Sequence, residues 1–199
     1  AVGGEFGINT QGVGDAYDPV LKPIYADSVI ADGTVLLDDD RPLTVSSLSV
    51  NEASPYAVFT VHGAIDQRVS LSLTNGTAIG GNVSDGTSDY SANLQYWNGS
   101  QWSAYASGSA ITLDSTGHAL VRAAIYNDSS LEGAQTFNLV ASGLGSGDVA
   151  TGVVATGVAT IQDEGIGQYF ANVEPERVSG VLSVAASQDV LLDDDRPLN

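Results

Sequence analysis

From Leu43 to Gln162 apolar side chains recur at every second position, in short runs separated by Gly, Asn, Asp and Ser. That period belongs to a pleated strand with one buried face. It predicts strands over 43–50, 57–63, 69–75, 92–98, 111–114, 119–126, 135–142 and 153–162. Val, Thr, Ser and Tyr dominate these runs, as suits half-buried sheet surfaces, and the residues between them form turns readily. No long segment keeps a helical period. Residues 119–126 admit a single helical turn, cut short by Asn127 and Asp128. Many short strands at regular spacing predict an all-β sandwich of two antiparallel sheets. The expected folded module is 43–165. Residues 1–42, with a strand near 28–37, and residues 166–199 are rich in Gly, Pro and Asp and are expected to be linkers.

One string overrides the local pattern. VLLDDDRPL occurs at 35–43 and again at 190–198, an offset of 190 − 35 = 155 residues. Ser28, Val29 and Ala31 match Ser183, Val184 and Ala186 at the same offset. A fixed period is the mark of a tandem array. The chain is therefore expected to hold one repeat with boundary segments on both sides, and its neighbours in the array are its first expected partners.

Composition narrows the function. The 199 residues carry a formal charge of −18, yet 43% are hydrophobic, so the acidity does not signal disorder. Such a chain repels phosphate backbones and is not expected to bind nucleic acid. It has no long apolar run, so membrane insertion is not expected. No secretory leader is visible at the start, and the chain reads as a piece of a longer one. Cysteine is absent, which removes disulfides and thiolate metal sites. Extracellular modules without disulfides need another staple, and a bound metal supplies one. The only two histidines, His62 and His118, do not predict an imidazole zinc site and are expected to be structural. No GxSxG or HExxH pattern is present, so catalysis is not expected.

The acids are clustered. Glu52 follows a strand, Asp89 sits in GTSDY, Asn127, Asp128 and Glu132 lie in NDSSLE, and Asp163 and Glu164 end the last strand as IQDEG. Strand ends of a sandwich gather at a pole. Hard oxygen donors on loops, six to eight of them, are what calcium requires. The alternative is a solvated acidic rim without an ion.

In the order SVNE, GTA, GTSDY, AIYNDSSLEGAQTF and VATIQDEG, these motifs resemble the Calx-β domain, found in sodium–calcium exchangers and in giant bacterial adhesins. The resemblance runs from about Val45 to Gly165. It implies an immunoglobulin-like sandwich with calcium at one end, held by Glu52, Asp89, Asp128, Glu132, Asp163 and Glu164. The sequence departs from the family where Asn127 and Gln135 replace acids and where the terminal acidic triplet is reduced to Asp163 and Glu164. Each change removes a negative ligand, so one or two sites are implied rather than a larger cluster.

Two further groups stand apart. Asp38, Asp39 and Asp40 lie at the repeat boundary and recur at 193–195. They suit either a calcium that stiffens the joint or a solubilising turn. Tyr96, Trp97, Trp102 and Tyr105 surround an NGS turn. They suit either core packing or an exposed platform for a peptide or glycan. The expected function is a calcium-stabilised module of a repetitive bacterial surface adhesin of the RTX type, acting outside the cell in adhesion. The alternative is a module that binds a peptide or glycan of a host or partner cell near its calcium.

Overall fold

A computed structural model describes residues 42–187, apart from 129, 131, 164 and 179. The strands are β1 (Thr44–Val45), β2 (Leu48–Asn51), β3 (Tyr56–His62), β4 (Arg68–Asn75), β5 (Gly80–Gly81), β6 (Tyr90–Trp97), β7 (Trp102–Ala104), β8 (Ala110–Thr112), β9 (His118–Ile125), β10 (Gln135–Leu144), β11 (Ala150–Gln162), β12 (Glu176–Val178) and β13 (Val181–Ser183). They form an all-β sandwich. One sheet runs β1-β3-β9-β6-β5 with β7 beside β6, and the other runs β2-β11-β10-β4-β8. All pairings are antiparallel except β2 with β11 and β5 with β6.

The alternation read along the chain is the alternation that packs the core. On β10, Phe137, Leu139 and Ala141 face inward and are buried, while Asn138 and Val140 between them are only half-buried. Phe137 meets the edge of Phe59 at 5.9 Å and stacks on Tyr90 at 3.9 Å, joining the two sheets. Tyr90 satisfies its hydroxyl by donating to Asn75 Oδ1 at 2.7 Å.

The run 43–50 is not one strand. It breaks at Ser46 and Ser47, so that β1 joins the sheet of β3 and β2 joins the sheet of β11. Serine side chains replace the lost ladder: Ser46 Oγ accepts from Thr60 N at 2.9 Å and Ser47 Oγ from Val158 N at 3.0 Å. The crossing chain passes close to β11, where a Cβ on Gly157 would stand 2.2 Å from Ser46 O. Only glycine fits there.

The expected linker 166–199 is corrected over its described part, since residues 166–187 belong to the folded unit. Gln168 bridges to Val50, Phe170 to Tyr56, and Tyr169 to Ser187. Ser54 Oγ accepts from Phe170 N at 2.9 Å. Phe170 and Leu182 are 5% and 8% exposed. This segment lies over the outer face of the β3-β9-β6 sheet, which explains why β9 is buried at six of its eight positions rather than at alternate ones. Beneath it sits Arg122, 5% exposed. Its guanidinium lies between the Tyr56 ring, 3.7 Å away, and the Trp102 ring, 4.2 Å away. Arg122 Nε donates to Gln95 Oε1 and its Nη1 to Asn172 Oδ1. Burial lowers the proton affinity of the guanidinium, and the nearby Tyr56 opposes that shift.

Candidate metal centre

The ends of β2, β9 and β11 and the starts of β3, β6 and β10 lie at one pole, because parallel and antiparallel partners share these termini. The residues predicted from sequence fall there. Glu52 follows β2, Asp89 precedes β6, Asn127, Asp128 and Glu132 join β9 to β10, and Asp163 follows β11. Glu164 and Asp38–Asp40 lie outside the described residues.

Glu52 and Asp163 are 9% and 5% exposed, unusual for carboxylates. Their partners are backbone amides. Glu52 Oε2 accepts from Asp128 N at 2.8 Å, and Asp163 Oδ2 accepts from Glu132 N. Asp128 Oδ1 accepts from Ser130 N at 2.7 Å, and Asp89 Oδ2 from Ile79 N at 2.6 Å. The buried acids thus anchor the exposed loop that carries the other two. Glu132 feels the whole group. Desolvation first, then the charges of Asp89, Asp128 and Asp163, raise its carboxyl above the ordinary glutamate value, while a hydrogen bond from Gln135 Nε2 opposes the shift.

The donor set is hard, anionic and gathered from four chain segments, which matches calcium in chemistry. The side-chain arrangement is looser. Among the described residues no three acids or histidines surround one point. The amide contacts account for this, since each of Glu52, Asp89, Asp128 and Asp163 is turned towards a backbone amide.

A raised folded-state value for Glu132 means that, in chelator, folding favours its protonated form. Stability from this group is then highest below the ordinary glutamate value and falls as pH rises through the raised one. Glu132→Gln is therefore expected to melt higher than the parent in chelator at pH 7, with the difference vanishing near pH 4. Urea melts at the two pH values check this, and a variant less stable at pH 7 contradicts it.

The four aromatics do not make one platform. Trp97 and Trp102 are cross-strand partners, edge to face at 5.7 Å. Trp102 covers Arg122, and its Nε1 donates to Val173 O at 3.2 Å. Tyr105 is buried; its hydroxyl accepts from Leu71 N at 2.9 Å and donates to Ser109 O at 2.5 Å, while its ring meets Tyr96 edge-on at 6.5 Å. Sequence reasoning missed Arg122, whose signal was a lone cation inside an apolar strand. It also missed a histidine pair. His62 and His118, 56 residues apart, are direct partners across β3 and β9, with ring centroids 4.4 Å apart.

No family model matches the sequence, and no curated protein matches it. Solved structures show fold-level likeness. The apo-form Calx CBD1 domain is 14% identical, with 61% of this chain and 97% of that one covered, at a TM-score of 0.38. The chaperone DraB of E. coli is 13% identical, with 64% and 58% covered, at 0.38. The YadV chaperone is 8% identical, with 64% and 53% covered, at 0.39. The chain spans little more than half the length of either chaperone. At these levels the likeness is one of sandwich architecture alone.

Proposed function

We propose that this chain is a calcium-stabilised, non-catalytic module of a repetitive bacterial surface adhesin, working outside the cell. The observation that carries the reading is the acidic pole, where desolvation first and then three neighbouring carboxylates disfavour Glu132 as an anion. Holding so many charges together without a disulfide favours a partner of opposite charge. Calcium would be held by Glu52, Asp89, Asp128, Glu132 and Asp163, with Asn127 able to add a neutral oxygen. It would supply cohesion between the loops and no chemistry. The recurring VLLDDDRPL supports an array, in which neighbouring repeats would be the partners of the module.

A peptide- or glycan-binding role beside the calcium has less support. Trp102 and Tyr105 are engaged inside the fold. Two clefts, of about 260 and 290 Å³, are lined by residues that include none of the pole acids.

Thermal melts in millimolar calcium and in chelator test the proposal. At a hundredfold excess over Kd, binding to the native state alone adds about 2.7 kcal/mol, or roughly 5–10 °C for a domain of this size. Asp163→Asn should remove most of the shift, whereas Asp66→Asn, in a turn away from the pole, should retain it. Coincident melts with and without calcium would reject the reading.

A further inference from the structure

We infer that His62 and His118 form a chelating pair for a borderline divalent ion, zinc being the representative, at the pole opposite the acids. The two residues are the whole histidine content of the chain. They stand directly across from each other where β3 ends and β9 begins. Six residue steps along either strand, about 20 Å, separate them from the acidic pole.

The tautomer of His118 favours a metal. Thr116 Oγ1 lies 2.6 Å from Asp114 Oδ1, and a carboxylate there can only accept, so the hydroxyl proton lies on that contact. Thr116 Oγ1 is also 3.2 Å from His118 Nδ1. With its own proton already committed, the hydroxyl accepts, so Nδ1 carries the imidazole proton. Nε2 is left with its lone pair. A carboxylate acting through a hydroxyl on the non-ligating nitrogen is the arrangement that orients metal-binding histidines and raises their basicity. Asp114 is itself fixed, since Oδ1 also accepts from the backbone N of Thr116 and of His118 at 2.8 and 3.1 Å.

The separation fits as well. Two tetrahedral zinc–nitrogen bonds of about 2.0–2.1 Å place the nitrogens roughly 3.3 Å apart. Rings with centroids 4.4 Å apart and tilted by 42° stand within the reach of one ion. His62 is exposed and His118 half-buried, so the ion has a way in. Without an ion, two imidazoles directly opposite repel whenever both are protonated. Among the described residues two imidazole nitrogens are the donors, which leaves the remaining positions to water or to a donor from a neighbouring chain.

Calorimetric titration with zinc in millimolar calcium, added to compete zinc from the acidic pole, tests the pair. The parent chain should bind one zinc, and the imidazole proton signals should shift in NMR spectra at one equivalent. His62→Gln and His118→Gln should each weaken binding by tenfold or more. Thr116→Val should weaken it by about tenfold through loss of the orienting contact. His62 is exposed, so its variant should melt with the parent in calcium alone. Zinc affinity unchanged in both histidine variants, or imidazole signals that stay in place, would overturn the site. Unchanged affinity in Thr116→Val would overturn the tautomer assignment.

Discussion

A chain ending at Gly165 should lose about 3–6 kcal/mol of stability relative to the full chain. The deleted segment carries Phe170 and Leu182, both buried, and burying such a side chain contributes about 1.5–3 kcal/mol. Its removal also bares Leu120 and Arg122 on the outer face of β9 and withdraws Asn172 from the guanidinium. The acids of the pole, from Glu52 to Asp163, all precede the cut. Urea unfolding of both chains in calcium measures the difference. Equal midpoints would mean that the segment rests on the sandwich without supporting it. Phe170→Ala offers a finer test, since it keeps the chain whole and should cost about 3 kcal/mol by cavity formation.

The same segment marks where sequence reading stops. The sandwich was legible because each strand repeats a two-residue choice: Phe137, Leu139 and Ala141 declare an inward face without help from distant residues. The segment after Gly165 makes its contacts through scattered residues, among them Phe170, Asn172, Val173 and Leu182. Residues so spaced share no sustained two-residue period, so the segment reads as loop. The break of the 43–50 run leaves only a small mark in the letters. The apolar phase slips from positions 43 and 45 to positions 48 and 50 across Ser46 and Ser47, but a one-residue slip does not say that the chain changes sheets, which the pairing of β1 with β3 and of β2 with β11 shows.

The acidic pole was legible for a topological reason. Residues just past strand ends must collect at one of two poles, and Glu52, Asp128 and Asp163 each follow a strand that ends at the same one. What the letters could not give is the direction of each carboxylate. Their amide contacts depend on loop conformation, which no periodicity encodes. The aromatics show both sides of this. Tyr96 and Trp97 are adjacent, so strand geometry sends them to opposite faces and excludes a single platform. That Trp102 would cover a buried cation depended on Arg122, 20 residues further along the chain.

Arg122 is where charge and shape can be separated. Arg122→Ala should destabilise by about 3–4 kcal/mol, while Arg122→Met should cost about 1 kcal/mol or less. Alanine empties the space between Tyr56 and Trp102, which are 3.7 and 4.2 Å from the guanidinium carbon. It forfeits the packing of a long side chain together with two ring contacts, each about 0.5–2 kcal/mol. It also leaves Gln95 Oε1 and Asn172 Oδ1 without their donor. Methionine keeps an unbranched side chain between the rings and makes favourable sulfur–aromatic contacts. It also removes the desolvation of a buried cation, the effect that lowers the proton affinity of Arg122. Its remaining cost is the pair of amide oxygens, both on side chains able to turn towards water. If the two variants unfold at the same urea concentration, the charge and its hydrogen bonds hold the C-terminal segment in place. If methionine alone restores the parent midpoint, the guanidinium serves chiefly as a flat filler between Tyr56 and Trp102, and the segment is held by apolar burial.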